Sequence, residues 1–259
     1  MSTDGAKPAR EVPLGVAVGV LSGLFGIGGG ALAVPGLLWL GFAQHAAHAT
    51  SLAAIVLTAA AAVVPFALDG AVHPLGALTL VVGSLAGVSV GAGVMHRLPE
   101  GWLRLAFVVF LLATAARLLV GVDAGADGHV PDLGFAQLAA LTGVGIATGA
   151  LSAILGVGGG LLLVPALVLG FGFSQHAAEG TSLAVIIPTA LLGAVRHTRR
   201  GYTRWRTGLT LGVGGVLGGL AGATVALALD ALVLQRLFAG FLVAMAAHLV
   251  LRGRRAAGS

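Results

Sequence analysis

Charged side chains are scarce in this sequence: Asp, Glu, Lys and Arg together make up 9% of its 259 residues. A water-soluble domain carries about a quarter, so this chain cannot cover a surface that faces water, and lipid is the solvent it suits. Hydrophobic residues at 58% and a mean hydropathy of +1.03 agree. Cysteine is absent, which excludes a disulfide framework and thiol chemistry and leaves the redox compartment unmarked. No intramembrane His/Asp/Glu cluster, Ser–Lys or HExxH-type pair, or cofactor motif is present. The histidines lack a third or fourth metal ligand at suitable spacing. Neither an enzyme, nor a cofactor, nor a metal site is therefore expected. The net charge of +5 is spread over loops and tails rather than along a stripe of a soluble domain, which argues against nucleic acid. Met1 to Glu11 is short, polar and mildly basic, and reads as a cytoplasmic tail rather than a signal peptide.

What the chain has is apolar length and glycine. Apolar segments fall at about 13–41, 46–68, 74–95, 102–121, 134–171, 177–195, 207–229 and 232–251. Six are close to the roughly 20 residues that span ~30 Å of hydrocarbon. The first and fifth are too long for one span and carry a glycine cluster in the middle. The 43 glycines suit helices that pack closely in lipid through small side chains.

The chain repeats itself. Residues 21–35 align without gaps on 151–165 with 9 of 15 identical, and Gln44 to Ala53 matches Gln175 to Ala184 at 8 of 10. Gly83, Gly87 and Gly91 then fall on Gly214, Gly218 and Gly222. GxGGG, then Pro, then QHAA..TSLA at one spacing twice is a duplication. It divides the chain into a membrane repeat at 12–121, an acidic linker at 122–132 holding Asp123, Asp127 and Asp132, and a second membrane repeat at 133–252.

GLFGIGGGALAVP at 23–35 and AILGVGGGLLLVP at 153–165 resemble the sulfite exporter TauE/SafE family of membrane permeases. The resemblance runs from about 14 to 252 and includes both TSLA segments. It implies a transporter, permease or exporter, for a small anion such as sulfite or an organosulfonate, in the cell membrane. The alternatives are a non-transporting scaffold and a transporter of an unrelated solute. The expected partners are an anionic solute and the bilayer, with a homo-oligomer possible.

The residues support an anion site on their own terms. Gly28-Gly29-Gly30 costs about 1 kcal/mol per residue relative to Ala inside a helix, so a break is expected there and at Gly158-Gly159-Gly160. Pro35 and Pro165 suit the first turn of a new helix. A half-helix starting at 31–35 or 161–165 would present free amides and a positive dipole end at membrane depth. The competing reading is that these glycines only let helices pack closely. With almost no charge inside the predicted spans, an anion would meet neutral donors: glycine amides with Thr50, Ser51, Thr181 and Ser182. Hydroxyls in such helices also bond their own backbone. His48 is replaced by Glu179 in the second copy, which makes these two the candidate proton-coupling pair. Gln44/His45 and Gln175/His176 read as helix caps at the interface.

Two topologies compete, an all-α fold with eight spans and one in which each long segment re-enters as a glycine-tipped hairpin beside three spans per copy, inverting the second repeat. Hairpins place 12 of the 14 Lys/Arg on the cytoplasmic side with both termini, against 11 for eight spans,. Half-segments of 11–12 residues, each ~17 Å long, reach mid-membrane without crossing. The hairpin arrangement is the expectation.

Overall fold

A computed structural model describes residues 8–94, 100–120, 133–155 and 159–257, and these are helical and contain no strand. The linker 122–132 and Gly158 lie outside the described residues. Ten helices follow one another: α1 Pro8–Phe25, α2 Gly30–Trp39, α3 Gln44–Leu68, α4 Pro74–Val94, α5 Glu100–Leu119, α6 Phe135–Leu155, α7 Gly160–Phe171, α8 Gln175–Arg199, α9 Trp205–Ala228 and α10 Ala231–Ala257. Eight apolar segments become ten helices because the first and fifth each split in two, and the split is unequal: α1 and α6 have 18 and 21 residues, about 27 and 32 Å, rather than the 11–12 expected, while α2 and α7 have 10 and 12,. Among the described residues four helices are long and apolar enough to cross a membrane: α3, α8, α9, and α10 over Ala231–Leu251.

Helix directions follow from which residues meet. Gly180, near the start of α8, packs on Phe66 and Ala71 at the far end of α3, while Gly193, near the end of α8, packs on Leu52 near the start of α3. The two equivalent helices are therefore antiparallel. α9 runs parallel to α3, with Gly208 beside Thr50 and Gly219 beside Ala62. α4 runs parallel to α8, tied by the His73 amide donating to Thr181 Oγ1 at one end and Arg196 donating to Ser89 Oγ at the other.

Glycine stripes join the remaining helices across the two copies. Gly15, Gly19 and Gly23 of α1 face Gly214, Gly218 and Gly222 of α9, and an added Cβ at any of the six would strike a carbonyl oxygen of the partner helix. α4 and α6 meet the same way through Gly83, Gly87, Gly145 and Gly149. This is small-residue packing, in which backbones approach because no side chain separates them. Gly87 and Gly218 are packing positions, as their helical spacing suggests. The pairing is crossed: α1 of the first copy holds α9 of the second, and α6 of the second holds α4 of the first. The main apolar core gathers Phe25 and Ile27, α7 from Leu161 to Val168, Phe173, and Phe238 and Leu242 of α10.

Candidate functional site

The chain turns at the first glycine cluster, but one step earlier than the sequence suggests. Gly26, Gly28 and Gly29 take φ of 65°, 72° and 78°, left-handed values that only glycine adopts without strain. Gly30 is already the first residue of α2, so it belongs to the helix and not to the break. The expectation that Pro35 and Pro165 open their helices is corrected by the same observation. α2 and α7 begin at Gly30 and Gly160, which puts each proline in the second turn, where its missing amide hydrogen withdraws a helical bond from Ala31 and Leu161.

α2 then doubles back along α1. Gly29 lies against Val18 and Ser22, and Gly36 against Leu14. The Gly29 carbonyl accepts from both Leu32 and Ala33, at 3.1 and 2.9 Å. The start of α2 thus turns the positive end of a helix dipole toward this buried segment,.

The turn sits deep. A Cβ built on Gly28 would lie 2.7 Å from Ile186 Cγ2 and 3.5 Å from Ile55 Cγ2. Ile55 and Ile186 are each the twelfth residue of a 25-residue helix, so Gly28 touches the midpoints of both antiparallel helices. The second cluster arrives at the same place, with Gly160 packed on the Ile27 backbone. Gly159 is the half-buried residue before α7, and its φ of −61° is not left-handed.

Two side-chain stripes face this meeting point. Spacings of three and four put residues on one helix face, so His48 and Ser51 share the face of Ile55, and Glu179 and Ser182 share that of Ile186. Glu179 is 0% exposed, and Gly26 packs directly on its Cα and Cβ. Its Oε1 accepts from Gln175 Nε2 at 2.8 Å, while its Oε2 has no partner. Ser182 Oγ, Ser22 Oγ and Gln175 Oε1 are likewise buried and unpartnered. Buried polar atoms ordinarily find hydrogen bonds, and these four orphans on α1 and α8 make the turn the candidate site.

The profile of the sulfite exporter TauE/SafE family matches residues 2–121 and 141–259. The chain belongs to the sulfite exporter TauE/SafE family. It is 27% identical over 236 residues to the probable membrane transporter protein YunE of Bacillus subtilis, covering 83% of this chain and 86% of that protein. A probable membrane transporter protein of Xylella fastidiosa strain Temecula1 is 28% identical over 239 residues, covering 91% and 92%. The probable membrane transporter protein YdhB of Bacillus subtilis is 34% identical over 104 residues, covering 40% and 42%. No solved structure gives a significant match.

In this TauE/SafE protein the residues singled out by sequence divide by environment. Gly28, Gly29 and Gly160 stand where the start of α7 meets the first turn. Ser182 joins them with an unused hydroxyl, whereas the Ser51 hydroxyl donates to the His48 carbonyl at 2.9 Å. Thr50 and Thr181 point one position around their helices and hold connections instead: Thr50 Oγ1 accepts from the Arg204 amide at 3.1 Å, and Thr181 Oγ1 from the His73 amide at 3.0 Å. Each clamps the entry to a glycine-striped helix of the other copy.

The two candidate coupling residues are not neighbours. Gly180 packs on Phe66, eighteen residues along α3 from His48, which is about 27 Å at 1.5 Å per residue,. His48, half-buried, and Glu179 therefore flank the turns from opposite ends. Nor does Gln175 cap α8. Ser174 does, accepting from the Ala177 amide at 3.2 Å, while the His45 ring lies tilted against Tyr202 and His176 Nε2 lies 3.0 Å from the Ala226 carbonyl.

Sequence reasoning did not single out Ser22, or Gln175 other than as a cap, though both carry unpartnered buried atoms. It also missed Glu11, buried in α1 and accepting from Thr207 Oγ1 at 3.0 Å. Ser22 had a signal, since Leu-Ser recurs at 151–152 in the second copy. Glu11 had none.

Proposed function

We propose that this chain is a permease that carries a small anion, of the sulfur oxyanion or organosulfonate class and such as sulfite, across the cell membrane. The observation that supports it most is the packing of Gly28 beside the midpoints of α3 and α8 and of Gly160 on the Ile27 backbone, at the starts of two short helices. Backbone of this kind is tolerated at membrane depth only where protein or a solute path surrounds it. Transporters of duplicated architecture commonly place their cargo between the repeats at broken helices. Neutral amides and hydroxyls suit a carrier that must release what it binds. The first glycine turn, Gly159 and Gly160, and the Ser51 and Ser182 faces form the cargo site in this reading, and Thr50 and Thr181 hold its walls in place.

In this reading α1–α2 and α6–α7 enter the membrane and return, the copies at 12–121 and 133–252 are inverted, and both termini lie in the cytoplasm. The antiparallel course of α3 and α8 supports the inversion, and the return of α2 along α1 supports re-entry. Purified protein in proteoliposomes should take up ³⁵S-labelled sulfite faster than protein-free vesicles, and unlabelled sulfite should compete. A scaffold would bring no uptake of sulfite, thiosulfate, sulfoacetate or taurine, and that result would overturn the permease reading.

A further inference from the structure

We infer that transport is coupled to protons at Glu179, one proton travelling with each anion, because an anion can enter the first glycine turn only when this carboxyl is protonated. The inference rests on the permease reading and adds its driving force.

The geometry makes Glu179 part of the turn's wall. A Cβ on Gly26 would stand 2.5 Å from Glu179 Cα and 2.8 Å from its Cβ, so nothing separates the acid's backbone from the turn. The carboxyl is fully buried, takes one hydrogen bond from Gln175 and leaves Oε2 unused. No Lys or Arg among the described residues pairs with it. A buried acid without a cation is a costly choice if its role is only to pack, and the fold does not demand one, since the equivalent residue of the first copy is His48.

The ionisable groups on neighbouring elements have other engagements. On the connection between α3 and α4, Asp69 is exposed and His73 Nδ1 accepts from the Gly76 amide. His176 of α8 lies on the Ala226 carbonyl, and Asp230, before α10, accepts from the Leu232 amide. Arg236 and His248 of α10 and Arg10 of α1 are exposed, and Glu11 binds Thr207. α2 and α7 carry no ionisable side chain. Glu179 is thus the one titratable group of α8 whose unused oxygen is buried beside the turn.

A carboxylate and a cargo anion in one dry turn would repel each other strongly. Protonation removes the conflict and turns an acceptor into an O–H donor, beside the unpartnered hydroxyls of Ser182 and Ser22. One proton is taken from the water on the entry side as the anion binds. It is returned to the water on the exit side as the anion leaves, which restores the carboxylate.

The test uses the full chain in proteoliposomes with ³⁵S-methanesulfonate and ³⁵S-thiosulfate, which carry no proton of their own near neutral pH, and with sulfite beside them. With the membrane potential clamped at zero by potassium and valinomycin, one coupled proton gives about a tenfold accumulation for each unit of pH difference, whatever the anion's charge. E179Q should show no accumulation while still exchanging labelled for unlabelled anion at equal pH. E179A, which cannot clash, carries the same expectation if E179Q yields no folded protein. Exchange without pH-driven accumulation in the unmodified protein overturns the coupling and leaves the permease standing. Accumulation that survives in both variants overturns the assignment to Glu179. No movement of any of the anions overturns the permease reading and this inference with it.

Discussion

Thr181→Val and Ser182→Ala change adjacent residues of α8 and should have opposite consequences. Thr181 Oγ1 accepts from the His73 amide at 3.0 Å. Valine keeps the volume and removes the acceptor, leaving that amide without its partner. An orphaned buried donor costs ~1–3 kcal/mol, and since His73 is only half-buried the lower end applies,. About 1 kcal/mol corresponds to a fall of ~2–4 °C in unfolding midpoint for a chain of this size. Ser182 Oγ is equally buried but bonds to nothing. Alanine there removes an unsatisfied hydroxyl, so stability should hold or rise by up to about 1 kcal/mol. Flux should move the other way: in the proposed cargo site this unpaired hydroxyl is free to bond the anion, and Ser182→Ala should slow anion uptake severalfold. Thr181→Val should retain most uptake per folded molecule. The midpoint is read from the intrinsic fluorescence of detergent-purified protein on heating, and flux from proteoliposomes normalised to reconstituted protein. Ser182→Ala melting as early as Thr181→Val, with uptake unchanged, would refute the division of this pair into a site residue and a wall residue.

Gly87→Ala and Gly218→Ala drive a Cβ into the Ile146 and Val16 carbonyls, and overpacking by ~1–3 kcal/mol should lower the yield of monodisperse protein. Gly143→Ala and Gly240→Ala, whose surroundings are open, should leave that yield unchanged or raised, since alanine gains up to ~1 kcal/mol in a helix. Gly26→Ala meets both a left-handed φ of 65° and the Glu179 backbone, a conformational penalty of ~1–2 kcal/mol before the clash. It should lower the yield of monodisperse protein at least as far as Gly87→Ala, and the fraction that folds should take up no anion. For topology, single cysteines in this cysteine-free chain should react with an impermeant reagent from outside intact cells at position 127 and not at 254, and the reverse pattern would place the termini outside.

Much of the fold was legible because it is written locally. Apolar length marked each helix, and GxGGG in two overlong segments marked two breaks, since three consecutive glycines cannot continue a helix cheaply. The four-residue glycine spacing announced close packing. It could not say against what. That Gly218 rests on α1 of the other copy, and Gly87 on α6, is a long-range choice that no spacing within one helix encodes. The helix starts were misplaced for a related reason: proline tolerates the first turn but does not require it, and the left-handed Gly29 sets α2 one residue on, well before Pro35.

The site was harder to read because its chemistry depends on direction around a helix as well as position along it. The TS of each TSLA segment looks like one polar unit in sequence. In the fold, Thr181 turns to the His73 amide and Ser182 toward the face of Ile186, a rotation of about 100° between neighbours. The same limit applies to His48 and Glu179. Their equivalence in the repeat suggests a pair, yet duplication followed by antiparallel packing sends equivalent residues to opposite ends of the bundle. Only residues near the middle of α3 and α8, such as Ile55 and Ile186, can meet their own counterparts. In the proposed inverted arrangement one acid stands to one side of the glycine clusters and one imidazole to the other. A carrier built from two similar halves thereby acquires unlike approaches to its cargo, and a difference between two approaches is what coupling to a proton gradient needs.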